Sequence, residues 1–146
     1  MREEDLDDLL MLMRGYCDFY EVAPADGALL ALSRALLEGP GHEGVQLLAR
    51  DRERDGAAAG FATVYWTWST LSASRIAVMN DLFVEPPARG SGLADALIKA
   101  CAALSRRHGA TELNWQTALD NERAQAVYER SGAKRSRWLD YSLDVT

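Results

Sequence analysis

The sequence contains few of the residues from which covalent and metal frameworks are built. It has two cysteines and two histidines in 146 residues. Cys17 and Cys101 lie in apolar helical patterns, and we interpret both as buried, reduced thiols rather than a disulfide framework. Neither His42 nor His108 belongs to a cluster with metal-ligand spacing. The sequence therefore predicts neither a disulfide-stabilised domain nor a metal site.

Long apolar runs are also missing. No run approaches the roughly 20 apolar residues that a helix needs to cross a bilayer. The first five residues, Met-Arg-Glu-Glu-Asp, provide no apolar core for a signal peptide. We therefore expect a cytoplasmic protein with no membrane partner.

Positive charge is in deficit, with 16 Lys and Arg against 22 Asp and Glu and a net charge of −6. Domains that bind nucleic acids are normally basic, so we expect no nucleic-acid partner. An acidic surface attracts cationic substrates such as amines. Acidity also serves solubility alone, however, and the charge count does not locate a site.

What the sequence does contain is strong helical and strand periodicity. Apolar residues recur at spacings of three and four from Leu6 to Tyr20, which predicts a first helix. A second helix is predicted over 26–38, with its core formed by Leu29, Leu32, Leu36 and Leu37. Pro40-Gly41 ends it.

The following segments alternate between strand and helix patterns. Three strands come first, at 45–49, 60–68 and 75–84, followed by a helix to about His108. A strand at 112–117, a helix at 121–131 and a final strand or hairpin within 135–145 complete the predicted order. This order predicts an α/β fold, with a central mixed sheet and helices on its faces. We expect a single domain over residues 1–146.

A glycine-rich turn, Arg89-Gly90-Ser91-Gly92, joins the third predicted strand to the next helix. The N-terminus of a helix has unpaired N–H groups and a partial positive charge. Glycines allow such a backbone to close around an anion, and consecutive amides form a nest for phosphate oxygens. Arg89 adds a fixed positive charge. The turn therefore predicts a phosphate-binding site.

Two common phosphate motifs do not fit this turn. A P-loop requires a lysine that the turn lacks, and the dinucleotide fingerprint fails at Asp95. The pattern that remains is Arg89-x-x-Gly92-x-Ala94.

This pattern resembles the pyrophosphate loop of the GNAT acetyltransferases, Arg/Gln-x-x-Gly-x-Gly/Ala after a strand that ends Val-x-Pro. The segment from Asn121 to Ala133 is similar to that family's Asn-x-x-Ala-x-x-x-Tyr-x-x-x-Gly-Phe/Ala segment. The diamine and small histone-acetyltransferase-like members are most alike. The resemblance implies the GNAT acyl-CoA N-acyltransferase fold. It also implies transfer of an acetyl group from acetyl-CoA, the co-substrate, to a primary amine by direct attack.

The resemblance further implies roles for individual residues. The backbone of Leu82, Phe83 and Val84 would bind pantetheine as an added strand, and Asn121 would reach the pantetheine arm. Tyr128 would protonate the departing thiolate, since a tyrosine pKa of about 10 keeps the proton available at neutral pH. The pyrophosphate would be held by the charge of Arg89 and by the amides of Gly90, Ser91, Gly92, Leu93, Ala94 and Asp95.

The acceptor amine must lose a proton, and Asp81 is the first candidate to accept it, with Glu85 or solvent as alternatives. Diamine enzymes look to have a glutamate where this chain has Asn80, and asparagine cannot be a base. That difference argues against a polyamine acceptor. A small-molecule amine and a protein lysine both stay open, and the resemblance suggests a homodimer. Family members also open with a strand, which here is short, missing or upstream of the given start.

Each of these residues also has a purely structural interpretation. Gly90 and Gly92 could form only a tight turn, and Asp81 could pair with an arginine. Asn121 could be an N-cap, Tyr128 half-buried core, and Arg89 a solvated charge. The aromatic residues at the end of the first helix, Tyr16, Phe19 and Tyr20, could line a substrate pocket but are more often core. The alternative function is a non-catalytic acetyl-CoA-binding regulatory or protein-interaction module.

Overall fold

The computed structural model describes residues 1–39 and 43–146. It divides into two compact units, Met1–Gln116 and Thr117–Thr146. The predicted helix end at Pro40-Gly41 and the predicted loop position of His42 lie outside the described residues. The single-domain organisation over residues 1–146 stays a prediction.

The first unit follows the predicted order of helices and strands. Its elements are α1 (Leu6–Phe19), α2 (Asp26–Glu38), β1 (Gly44–Asp51), β2 (Ala57–Ser69), β3 (Ser74–Val84), α3 (Leu93–Arg107) and β4 (Ala110–Asn114). The second unit contains α4 (Glu122–Arg130). The predicted α/β fold with a mixed sheet is confirmed.

The strands form one sheet in the order β1-β2-β3-β4. The pairs β1–β2 and β2–β3 are antiparallel, and β4 runs parallel to β3 because α3 returns the chain. β4 pairs with β3 only over Arg75–Val78. The second half of β3 is therefore paired with β2 on one side, and none of the described strands pairs with it on the other.

β3 contains a bulge where this change occurs. Thr63 of β2 lies opposite Asp81, while the next residue, Val64, lies opposite Met79. Asn80 is thus the extra residue of β3. A bulge of this kind bends a strand and redirects its side chains.

Helices cover both faces of the sheet. Phe61 and Phe83 face α1 and join a buried cluster with its leucines Leu6, Leu9 and Leu12 and with Met13. Gly60 faces the other way, and a Cβ placed there would lie 3.3 Å from Leu97 Cδ1 of α3. The core therefore has an α1 side and an α3 side.

Both cysteines are buried and free, as the sequence predicted. Burial raises the pKa of the Cys101 thiol to about 12. A thiol of this kind packs as a small apolar side chain.

One predicted core position in α2 was wrong. Leu32 has 41% of its surface exposed, whereas Ser33 is fully buried. Ser33 Oγ lies 3.8 Å from Met13 Sδ. A small side chain therefore faces α1 at this point, while the other predicted positions, Leu29, Leu36 and Leu37, are buried or half-buried.

Two predictions for the C-terminal part were also wrong. β4 begins at Ala110 and ends at Asn114, earlier than the predicted 112–117, because Gly109 turns the chain at φ +77° directly after α3. Residues 133–146 form no strand or hairpin. Their alternating apolar side chains have 81–91% of their surface exposed at Trp138, Leu139, Tyr141, Leu143 and Val145. The strand pattern there has no pairing partner within the second unit as described.

The burial of α1 leads to a test of the core. Leu9→Ala should lower the free energy of unfolding by about 2–5 kcal/mol, because it removes a fully buried side chain and leaves a cavity. Met11→Ala on the same helix is the matched control, with 65% of the side chain exposed and an expected change within about 0.5 kcal/mol. Urea unfolding of both variants measures this. Equal losses would contradict the assignment of the core face.

Candidate functional site

The turn between β3 and α3 has a backbone that glycine favours. After Val84 the chain makes a 3-10 turn, Pro86–Ala88, and α3 begins at Leu93. Gly90 and Gly92 between them have φ angles of +87° and +86°. Side chains rarely occupy this region, so glycine is the residue that suits both positions.

Within the described residues the amides that follow Arg89 in this turn have no protein acceptor, whereas Arg89 N–H donates to Pro86 O at 3.2 Å. In the described part of the chain, no backbone N–H from Gly90 to Ala94 donates to a protein acceptor, and the first helical bond runs from Ala96 N–H to Gly92 O at 3.0 Å. A Cβ on either glycine would meet no atom within 4 Å. Open amides at the positive end of a helix dipole suit an anion such as a diphosphate.

Arg89 lies between β3 and this turn. Its Nε donates to Val84 O at 2.9 Å, and its guanidinium lies 5.8 Å from the centre of the Phe83 ring. The side chain is therefore held against the end of β3, the strand that leads into the turn. Asp95 is half-buried in the first turn of α3.

The backbone edge that precedes the turn is also open on one side. Leu82, Phe83 and Val84 pair with β2, whereas β4 stops at the level of Val78. In an antiparallel pair, every second residue directs its N–H and C=O away from the partner. This edge can therefore accept an extended ligand as an additional strand.

Asp81 lies at the start of this edge and is half-buried. Its Oδ1 accepts a hydrogen bond of 3.1 Å from Asn80 Nδ2. Within residues 1–39 and 43–146, no lysine or arginine forms an ion pair with it, so the arginine-paired interpretation is not supported. Glu85, the other carboxylate candidate, pairs with Arg54.

Two tyrosines, Tyr16 and Tyr65, lie near Asp81, and the sequence indicated only Tyr16 as a possible pocket residue. Burial raises the pKa of Tyr16, and the charge of Asp81 raises it further. The pKa of Tyr65 is raised by burial first, then by Asp81 and Glu43. Tyr65 lies two residues after Thr63 on the same strand face, which is the signal that could have identified it.

The interpretation of Phe19 and Tyr20 as core residues was wrong. Phe19 and Tyr20 have 56% and 48% of their surface exposed, while Tyr16 is half-buried. Helical periodicity does not distinguish a stripe that packs from one that continues past the edge of the sheet, because both have the same spacing.

The second unit contains the other two candidates. Asn121 is the N-cap of α4, and its Oδ1 accepts from Ala124 N–H at 3.2 Å, as the structural interpretation proposed. This contact leaves the amide nitrogen of the side chain as the group that can donate to a ligand. Tyr128 is half-buried on α4. The structure thus groups Asp81, the β3 edge and the turn in one unit, and Asn121 with Tyr128 in the other.

The described residues provide neither a metal site nor a membrane-spanning helix. Those residues contain no group of three or more His, Cys, Asp or Glu side chains able to hold a metal ion. None of the helices in the described part of the chain has the length and apolar character needed to span a membrane.

A mixed sheet whose strand–turn–helix unit presents open amides is the arrangement of a phosphate-binding α/β domain. The sequence matches the Acetyltransferase (GNAT) family over residues 10–133. The chain therefore belongs to the GNAT acetyltransferase family, whose members transfer acyl groups to amines.

Known proteins resemble the chain over nearly its whole length. It is 34% identical to the uncharacterized N-acetyltransferase YhfO of Bacillus subtilis (strain 168), over 99% of this chain and 94% of YhfO. The crystal structure of a probable acetyltransferase matches with a TM-score of 0.85 and 29% identity, covering 100% of this chain and 95% of that one. The aminoglycoside N-acetyltransferase AAC(6')-Iy, solved in complex with CoA, matches with a TM-score of 0.83 and 22% identity, covering 100% and 92%.

The open amides lead to a binding test. Gly92→Ala should raise the Kd for CoA at least about tenfold, about 1.4 kcal/mol, because a methyl group strains the positive φ and crowds the anion. Gly109→Ala is the matched control, since its φ is +77° and its Cβ would also meet nothing, but it lies at the other end of α3.

Both variants should lose similar stability, about 1–2 kcal/mol each, because both place a side chain in the left-handed region. Isothermal titration with CoA and thermal unfolding separate binding from stability. The same Kd in both variants would contradict the anion-binding assignment of the turn.

Proposed function

We propose that the protein is an acetyl-CoA-dependent N-acetyltransferase that acts on a primary amine by direct attack. The observation that carries this proposal is the set of open amides from Gly90 to Ala94 at the end of a strand edge without a partner. Acetyl-CoA supplies an acetyl group activated as a thioester. The CoA complex of a protein with the same fold supports this choice.

The binding roles follow the chemistry of each group. The edge of Leu82, Phe83 and Val84 would pair with the amides of the pantetheine arm, and Asn121 would donate to that arm. The amides of Gly90, Ser91, Gly92, Leu93, Ala94 and Asp95 would bind the diphosphate. Arg89 contributes a positive charge at the end of β3, where Val84 O holds its side chain.

Asp81 would accept the proton of the amine. An alkylamine has a pKa of about 10, so it is mostly a cation at pH 7 and cannot attack until it is deprotonated. The amine nitrogen then forms a C–N bond to the acetyl carbon as the C–S bond breaks. Asp81 suits this role because it is half-buried and its charge is not used in an ion pair with any described lysine or arginine.

Tyr128 would donate its hydroxyl proton to the departing sulfur. Together the two residues move one proton from the amine to the enzyme and one from the enzyme to the thiolate. Direct transfer is favoured over an acyl-cysteine, because both cysteines, Cys17 and Cys101, are buried, and buried thiols are poorly placed to act as nucleophiles.

The acid role of Tyr128 is tested by Tyr128→Phe. We expect kcat to fall at least about 100-fold, the usual contribution of a general acid, with the KM for acetyl-CoA unchanged. Tyr141→Phe is the control in the same unit, because 90% of its surface is exposed. Thiol release from acetyl-CoA in the presence of amines is the measurement.

Two results of that experiment would contradict the proposal. An unchanged kcat in Tyr128→Phe would remove the acid assignment. Tight acetyl-CoA binding by the unmutated protein without turnover of any amine would support the alternative, a non-catalytic acetyl-CoA-binding or protein-interaction module on the same fold.

The base role of Asp81 predicts a pH-dependent defect. Asp81→Asn should lower kcat/KM at least about 100-fold at pH 7. The defect should shrink as the pH approaches the amine pKa of about 10, because the amine then loses its proton without help. Asp55→Asn, in the exposed turn before β2, is the charge-matched control. A defect that is constant with pH would exclude a base.

The wider context of the reaction stays a prediction. The acceptor is either a small-molecule amine or a protein lysine. A cytoplasmic location, a homodimer and the absence of nucleic-acid and membrane partners also remain predictions. We retain Glu85 and solvent as secondary candidates for the base, although Glu85 is paired with Arg54.

A further inference from the structure

The α1-facing side of the sheet combines a carboxylate with aromatic rings. Asp81 and Phe83 lie two residues apart on β3 and therefore project from the same face. Phe61 lies opposite Phe83, and Thr63 lies opposite Asp81. The carboxylate of Asp81 therefore adjoins the buried pair of Phe61 and Phe83 on this face of the sheet.

Two tyrosines of α1 lie over this boundary. The Tyr16 ring packs edge-on against Phe61 at 5.8 Å and against Phe83 at 6.3 Å between centroids. Tyr20, one helical turn further along, lies 5.0 Å from Tyr16. The Tyr16 side chain thus reaches from the phenylalanine core toward Asp81, and the adjoining Tyr20 is half-exposed.

A third tyrosine approaches from β2. Tyr65 lies two residues after Thr63 and so shares its face. The charges of both Asp81 and Glu43 act on its hydroxyl and raise its pKa. Asp81 therefore has tyrosines on two sides, one from a helix and one from a strand.

The charges that act on the tyrosines of this cluster are negative, while the guanidinium of Arg89 lies over the neighbouring Phe83 ring, 5.8 Å from its centre. The charged groups that act on the tyrosines are the carboxylates of Asp81 and Glu43. Aromatic ring faces carry partial negative charge and attract ammonium groups. A half-buried carboxylate strengthens this attraction and repels a second carboxylate at short range.

We propose that Tyr16, Tyr20, Tyr65 and Asp81 form the acceptor subsite, and that it selects aliphatic primary ammonium ions with no carboxylate close to the nitrogen. This inference rests on the proposed acetyl transfer. The rings would surround the ammonium group, and Asp81 would hold it and then take its proton. An amino acid whose carboxylate lies within a few bonds of the amine would be rejected by charge.

Two probes of the same shape test this selection. β-Alaninamide and β-alanine carry the same primary amine and chain length, but only β-alanine has a carboxylate. We expect β-alaninamide to bind at least about tenfold more tightly to the CoA-bound protein, measured by NMR titration without turnover. We also expect kcat/KM to favour β-alaninamide at least about tenfold, mainly through KM.

Variants assign this selectivity to the named residues. Tyr16→Leu should raise the KM for β-alaninamide about tenfold, because the substitution removes an aromatic ring from the subsite. The Kd for acetyl-CoA should stay the same, because Tyr16 is not among the groups proposed to bind the coenzyme. Met11→Leu, on the same helix but outside the subsite and with 65% of its surface exposed, should have little effect. In Asp81→Asn at pH 9.5, the preference for β-alaninamide over β-alanine should fall toward one.

The outcomes separate this inference from the proposed function. Equal binding and equal turnover of the two probes would overturn the subsite and leave acetyl transfer intact. Selective binding of β-alaninamide without turnover of any amine would overturn acetyl transfer and leave the subsite intact. A raised KM in both Tyr16→Leu and Met11→Leu would show a general effect on α1 and overturn the assignment to Tyr16.

Discussion

The asymmetric pairing of β3 is the constraint on which the candidate site depends. One edge of this strand is hydrogen-bonded to β2 as far as Val84, whereas the other pairs with β4 only over Arg75–Val78. A backbone edge without a strand partner needs other hydrogen-bonding groups, and a ligand can supply them. The bulge at Asn80 lies near this change and orients Asp81 toward α1.

The same strand connects the two halves of the proposed chemistry. It leads directly into the turn whose glycines leave the amides of α3 open, and it carries Asp81 three residues before its end at Val84. Coenzyme binding and proton transfer are thus proposed for one continuous segment. The tyrosines that approach Asp81 come from α1 and β2, which the sheet brings to this segment.

Much of the fold could be predicted because local signals were strong. The α2 bounds agree with the apolar periodicity, and α3 ends close to the predicted His108. Prediction failed where the outcome depended on a neighbour. Ser33 rather than Leu32 is buried because of how α2 approaches Met13, and β4 is placed by its pairing with β3. Alternation within residues 135–145 indicated a strand, but alternation alone provides no pairing partner.

The sequence by itself determined the family and the position of the glycine turn, because a turn with two positive φ angles at a helix start requires particular residues in a particular order. It also identified Asp81 as a candidate base. Only the tertiary structure decided that Asp81 is free of an arginine partner in the described chain and that Tyr16 and Tyr65 flank it. The reason is physical: residues 16, 65 and 81 are brought near one another by the packing of a helix on a sheet, and spacing along the chain does not predict that packing.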